Sequence, residues 1–144
     1  MTEEKKYESF IPIFRLKPIN REPACIVKHV GYIDKSKEML LDEVVEIETS
    51  DGIVGWGECY GPSAVSKAFI ETQFGPRIIG RDPFDVEVIW EDLYNRIKDY
   101  GTTGMAISAI SGIDIALWDI IGKSCGKPIH KLIGGSYRDE VTPY

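Results

Sequence analysis

Between Met105 and Ser124 the chain runs MAISAISGIDIALWDIIGKS, and its apolar residues fall on nearly every side of a helix. Ile110, Ile113, Leu117 and Ile120 form one ridge at helical spacing, while Ile107, Ile115 and Ile121 spread around the rest. A helix that is apolar all round has to be buried all round. For a chain of 144 residues that is a heavy demand, and it predicts a covering partner outside these residues. The most apolar window, Met105 to Ile121, contains Asp114 and Asp119 and is too short to span a bilayer comfortably. Beyond it come Gly122-Lys123, a Gly126-Lys127-Pro128 break, a short basic turn and Leu132-Ile133-Gly134-Gly135.

Upstream the pattern shifts from strands to helices. Met1 to Tyr7 is a charged tail, expected to fray. Glu8 to Leu16, with Phe10, Ile11, Ile13 and Phe14, reads as a strand. Lys17 to Leu41 has no clean period, contains Pro18, Pro23 and Gly31, and reads as a long polar loop. Asp42 to Ser50 alternates Val45 and Ile47 against Glu46 and Glu48, the mark of a half-buried strand. Ser50-Asp51-Gly52 predicts a tight primed hairpin turn. Ile53 to Cys59 returns, with Val54 and Trp56 on one face and Gly55 and Gly57 marking a face where something packs closely.

Ser63 is a candidate cap for a helix from Ala64, with Val65, Ala68 and Phe69 as its buried stripe and Gly75-Pro76 as its interruption or end. Asp82-Pro83 supplies the cap and first-turn proline of a second helix, whose apolar face is Val86, Ile89, Trp90, Leu93, Tyr94 and Ile97. Strands followed by helices make an α+β signature. The expected fold is a three-stranded antiparallel meander packed on three helices.

Charge and cysteine content exclude several classes. Net charge is −6, and Lys and Arg are scattered without a basic stripe, which argues against a nucleic-acid partner. Cys25, Cys59 and Cys125 form no Cys-x-x-Cys pair, so neither a zinc site nor a redox motif is expected. The opening residues, MTEEKKYESF, lack the apolar core of a signal peptide. The expectation is a cytoplasmic protein with no membrane partner.

Asp114 and Asp119 share one helix and invite an acid–base reading. At 3.6 residues per turn, however, they point about 140° apart and cannot easily share a site. Each is expected to accept hydrogen bonds that anchor loops or a covering domain, with Trp118 filling an interface. Glu46 and Glu48 share one strand face, expected to be solvated, and Glu58 ends the run Gly55-Trp56-Gly57-Glu58. These three would ligate a metal only if they converged. His29 and His130 are too far apart in sequence to read as a pair.

The run Ala109-Ile110-Ser111-Gly112-Ile113-Asp114-Ile115-Ala116-Leu117-Trp118-Asp119, followed by Gly122-Lys123, Gly126-Lys127-Pro128 and Leu132-Ile133-Gly134-Gly135, closely resembles the end of one family's N-terminal domain. That family is the mandelate racemase/muconate lactonizing branch of the enolase superfamily. The resemblance covers Glu8 to Tyr144, and Ser111-Gly112 departs from the pair many relatives carry there. It implies a tail over 1–7, a capping domain over 8–138, and the start of a C-terminal barrel at 139–144, where Val141-Thr142-Pro143-Tyr144 looks like the opening strand. Such a barrel of strands and helices needs about 250 residues more.

The resemblance further implies a magnesium-dependent enzyme that abstracts the proton α to a carboxylate. Its Lys or His base and its metal ligands lie in the barrel, so no catalytic or metal-binding residue is assigned to this chain. The implied partners are that barrel, a small carboxylic-acid substrate and further copies in a homo-oligomer. Two cap loops of the family close over the barrel mouth and correspond here to Lys17–Leu41 and Cys59–Ala64. They point to Tyr60, His29, Lys28 and Arg21 as substrate-binding residues, with Tyr144 on the barrel's first strand as another. The polar first loop leans toward a polyhydroxy acid. A sugar-acid dehydratase is therefore the first expectation, and a racemase or cycloisomerase of the same family the second. From a different class come a truncated, non-catalytic interaction module and a chain that complements a separately encoded barrel.

Overall fold

The computed structural model describes residues 25–31, 43–99 and 101–142. It is a mixed α+β structure whose antiparallel sheet has the order β1 (Cys25–Gly31), β2 (Glu43–Thr49), β3 (Val54–Cys59). The β2–β3 hairpin lies where the alternation put it. Val45, Ile47 and Thr49 of β2 and Gly55, Gly57 and Cys59 of β3 are buried on one face, while Trp56 and Glu58 look outward.

The turn departs from the primed forms, both of which need positive φ at the first central residue. Gly52 has φ 88°, but no non-glycine residue among those described has a positive φ. Instead the Gly52 N–H donates to the Thr49 carbonyl at 2.9 Å and the Thr49 N–H to the Ile53 carbonyl at 2.8 Å. The buried Thr49 hydroxyl closes this longer loop by accepting the Ile53 N–H at 2.9 Å and donating to the Asp51 carboxylate.

β1 is not the strand that the pattern indicated. Glu8–Leu16 lies outside the described residues, and β1 falls inside the stretch read as a loop. Its register against β2 slips between Val27 and His29. A bulge inserts one residue and breaks the alternation by which a strand is recognised. That is why CIVKHVG showed no clean period.

Helix α1 (Ser63–Phe69) runs through a π turn (Ile70–Phe74) into α2 (Gly75–Ile78), so Gly75-Pro76 does not end it. A proline lacks the N–H for its i−4 partner, and its ring crowds that carbonyl. The wider turn, in which the Gly75 N–H reaches the Ile70 carbonyl, lets the chain continue. It also resets the buried face. Ser66, Ile70, Phe74 and Ile78 are buried at a spacing of four, whereas Val65 is 41% exposed and Ala68 is exposed. A spacing of four drifts about 40° per step on an α-helix, and the wide turn removes that drift. Val65 and Ala68 of the expected stripe are thereby turned toward solvent, while Phe69 stays partly buried against the core. The cap expected at Asp82 does not form. The α1 cap position is Pro62, with no side-chain hydrogen bond, and Asp82 instead accepts the Phe84 N–H at 2.9 Å in a turn ahead of α3 (Val86–Ile97). α3 buries Val86, Ile89, Leu93 and Ile97, and Trp90 stacks on Tyr94 at its flank with ring centroids 5.0 Å apart.

α4 (Met105–Cys125) is the core helix. Its 21 residues are long and apolar enough to cross a bilayer by length and composition, yet Ala109, Ile110, Ile113, Ala116, Leu117 and Ile120 are buried inside the fold. It ends at Gly126 in the left-handed region, φ 59°, with the Lys127 N–H on the Gly122 carbonyl at 3.0 Å. This is the glycine-dependent reversal that satisfies terminal carbonyls. α4 lies directly on β3. A Cβ on Gly57 would stand 1.8 Å from the Gly112 carbonyl oxygen, and one on Gly55 would stand 2.2 Å from that of Ala116. Only glycine lets helix backbone rest on strand backbone at that range.

The basic turn is a short helix, α5 (Ile129–Leu132). No strand forms between residues 136 and 142, where Val141 is 86% exposed, and residues 143–144 lie outside the described ones. A lone extended segment has no neighbour to take its backbone hydrogen bonds.

Candidate functional site

The sheet register brings two loops to one end of the domain. β1 ends at Gly31 opposite Val44, and β3 ends at Cys59 opposite Glu43. The chain after β1 and the segment Tyr60-Gly61-Pro62 thus leave the same end, separated by the width of two strand spacings, about 10 Å.

Tyr60 stands at that end with 84% of its surface exposed. Its ring is free while its backbone is pinned. The Tyr60 N–H donates to Ser108 Oγ at 2.6 Å, and the Ser108 hydroxyl donates to the Tyr60 carbonyl at 2.6 Å. Gly61 follows with φ 108°, where a Cβ would meet the Met105 side chain at 2.5 Å. The first turn of α4 therefore fixes the loop that presents the Tyr60 phenol, a group able to donate and accept. Ser108 and Met105 were missed by sequence reasoning. The one available signal was a hydroxyl in the first turn of an otherwise apolar helix.

Lys28 and His29 lie on the edge strand β1 rather than in a loop. The register sets His29 opposite Glu46, which is opposite Trp56, and leaves Lys28 at the slip. That row is three residues back from the sheet end, about 10 Å from it. Arg21 and Tyr144 lie outside the described residues. The described residues thus gather the two loop ends and the row containing His29, and do not converge all the candidates on one point.

The two α4 carboxylates have different environments. Asp119 Oδ2 accepts the Trp56 N–H at 2.9 Å and Lys123 Nζ at 2.6 Å, and Lys123 Nζ also donates to the Val54 carbonyl at 2.7 Å. With Ser108, these side chains satisfy backbone groups along and just beyond the edge of β3 that no strand among the described residues pairs. Asp119 therefore anchors a strand where anchoring of a loop or a covering domain was expected. Asp114 anchors no loop: among the described residues it has neither a hydrogen bond nor a cation. Burial pushes its carboxyl above the usual range, and Glu87 beside it on α3 pushes the same way. Asp92 is the opposite case. A hydrogen bond from Arg77, at 2.9 Å, holds its carboxyl below the usual range, with Arg81 at 3.2 Å adding to the effect.

Glu46 and Glu48 are half-buried and Glu58 is exposed on the outer face of the sheet. Among the described residues no group of three or more His, Cys, Asp or Glu is placed to hold a metal ion. The described residues therefore do not fit magnesium. The chemistry on offer is recognition: a pinned loop, a free phenol and neighbouring backbone.

Residues 35–134 match the family described as mandelate racemase / muconate lactonizing enzyme, N-terminal domain. The chain is 50% identical over 101 residues to D-galactarolactone cycloisomerase of Agrobacterium fabrum, which covers 70% of this chain and 26% of that one. It is 47% identical over 95 residues to arabinonate dehydratase of Saccharolobus solfataricus, covering 65% of this chain and 26% of that one. Among solved structures, a mandelate racemase/muconate lactonizing protein from Paracoccus denitrificans, complexed with magnesium, superposes with a TM-score of 0.69 at 31% identity. That match covers 81% of this chain and 31% of the other. The chain thus spans about a quarter of the length of the relatives it matches.

Proposed function

Because this chain belongs to the mandelate racemase / muconate lactonizing enzyme N-terminal domain family, we propose that it caps a larger, magnesium-dependent enzyme acting on sugar acids. The reaction is dehydration begun by removal of the proton α to the carboxylate. One observation carries this reading: the chain shares about half its matched residues with proteins named for sugar-acid dehydration and for cycloisomerisation of a sugar-acid lactone. Cycloisomerisation is the second reading, favoured by the 50% identity to the Agrobacterium protein.

The base and the metal ligands belong to the part of the relatives beyond this chain's span. The metal, when bound there, stabilises the negative charge that develops on the substrate carboxylate. The cap's own work is selection and water exclusion. Tyr60, on a loop held by Ser108, offers a hydroxyl to a polyhydroxylated substrate and a ring face that displaces water. Expelling water strengthens every charge interaction beneath the cap. Lys28, His29 and Arg21 supply further donors to substrate oxygens, and Tyr144 lines the site from the following segment.

The test replaces the first quarter of arabinonate dehydratase with this chain. The joined protein, loaded with magnesium, is assayed for 2-keto-3-deoxy acid across a panel of sugar acids, with the 144-residue chain alone as control. Keto acid from the joined protein and none from the chain alone is the expected result. No keto acid from any substrate sinks the dehydratase reading, and lactone opening or closure without keto acid moves the assignment to cycloisomerase.

A further inference from the structure

α4 carries a second line of residues that the β3 edge does not use. Ile107, Ser111, Asp114, Ile115 and Trp118 fall within an arc of about 100° at 3.6 residues per turn, beside the arc of Ser108, Asp119 and Lys123. Ile115 is 42% exposed, Ser111 is exposed, and Ile107 and Trp118 are only partly buried against the core. A helix with one buried face ordinarily turns polar side chains to the other. Amid this apolar line sits Asp114, half-buried, with no cation or hydrogen-bond donor among the described residues and with Glu87 of α3 as its charged neighbour. Partly desolvated carboxylates are normally paired. Among the described residues the face therefore lacks two things at once, an apolar cover and a positive charge.

A second copy of this chain fits that gap poorly. A two-fold contact is self-complementary and would bring another Asp114 and Glu87 to the same patch, and like charges set together oppose association. The relatives supply a different occupant, since about three quarters of their length lies outside the span matched by this chain. We infer that this face of α4 seats the C-terminal domain of the longer protein, and that an arginine or lysine of that domain, laid across Ile115 and Trp118, forms an ion pair with Asp114. The inference rests on the capping role proposed above and adds where the cap is held and by which charge. Arginine suits the position best, because its planar fork matches a carboxylate and its stem covers apolar surface.

The test compares two proteins: the chain by itself, and the chain joined to the C-terminal domain of the Agrobacterium cycloisomerase. Both carry Cys25→Ser, Cys125→Ser and Ser111→Cys, and maleimide labelling of the introduced thiol is followed. Buried Cys59 stays unlabelled as long as the fold is intact and so controls for misfolding. The introduced thiol is expected to react at least about tenfold more slowly in the joined protein, as for any site opened only by domain separation. Adding Asp114→Lys should restore the rate seen in the chain alone, and Asp114→Asn should restore part of it. Equal rates in the two proteins, with Cys59 protected in both, overturn the interface. Protection that Asp114→Lys leaves intact overturns the ion pair. Protection of the chain alone that grows with its concentration overturns the choice of occupant in favour of self-association. Labelling needs neither substrate nor metal, so a protected but inactive joined protein counts against the sugar-acid reading and leaves the interface standing.

Discussion

Replacing Gly57 by alanine should be among the most damaging single-methyl changes this fold can suffer. A Cβ at that position would stand 1.8 Å from the Gly112 carbonyl oxygen and 2.8 Å from the Ala116 nitrogen, both backbone atoms of α4. Backbone cannot rotate aside, so the helix must retreat from β3 by roughly an ångström or more to reach ordinary contact. A radial gap of that size forfeits about a quarter to a half of the dispersion energy across it. The layer affected includes Val45, Ile47, Ile113 and Ile120, all fully or almost fully buried. At about 2 kcal/mol per buried aliphatic side chain, the loss comes to about 3 kcal/mol. For a domain of this size that lowers the melting temperature by roughly 6–12 °C.

Two companion substitutions separate the causes. Gly52→Ala meets nothing within 4 Å but sits at φ 88°, and should cost about 1–2 kcal/mol from backbone conformation alone. Gly112→Ala points at the Cys59 and Val45 side chains, which can shift, and alanine is favoured over glycine inside a helix, so its net loss should fall below that of Gly57→Ala. Urea unfolding followed by far-ultraviolet ellipticity measures all three, provided the slope with urea is unchanged. If Gly57→Ala unfolds within about 1 kcal/mol of the parent, or no more easily than Gly52→Ala, the close backbone approach does not hold the domain as described.

Asp119→Ala should cost about 1–2 kcal/mol and speed hydrogen exchange at the Trp56 amide, whereas Asp119→Asn, which keeps an acceptor, should recover most of the loss. The Asp114 carboxyl is raised in the fold, so the folded state binds the extra proton and stability falls as pH rises from the ordinary aspartate value through the raised one. Asp114→Asn of the chain alone should therefore be more stable than the parent above that window and no more stable below it; stability curves that run parallel across pH would refute this. Asp92 has the opposite sign. Its lowered carboxyl contributes stability above the ordinary aspartate value and loses it as pH falls, and Arg77→Gln should shift its carbon-13 titration upward. Tyr60→Ala should leave stability within about 0.5 kcal/mol, because the ring is exposed, while raising KM for sugar acids in the joined enzyme; an unchanged KM removes Tyr60 from substrate binding.

The parts legible in the sequence were those whose pattern has one cause. Val45 and Ile47 alternate because one sheet face is buried, and Gly55 and Gly57 alternate because a helix backbone lies on them. Where two causes overlapped, the pattern failed. The slip at Lys28 erased the alternation of β1, and the π turn moved the buried line of the first helix from Val65 and Ala68 to Ser66 and Ile70. Gly75-Pro76 was read as an interruption or an end, and between the two the π turn decides, because it removes the clash that an ideal preceding turn would give the proline. In the candidate site, Tyr60 was legible from its place after the strand. Ser108, which holds it, was not, because a hydrogen bond spanning 48 positions leaves no local trace.

The side chains of α4 that satisfy β3 also decide how this sheet can grow. An incoming strand would need the Trp56 N–H and the Val54 carbonyl, and Asp119 and Lys123 already occupy both. Addition on that side would have to expel an ion pair and leave its charges without partners, so that border is shut to strand exchange. In the described sheet the opposite border belongs to β1, whose irregular register at Lys28 offers an incoming strand no uniform ladder. Both borders of the described sheet therefore discourage copies of this domain from joining their sheets edge to edge.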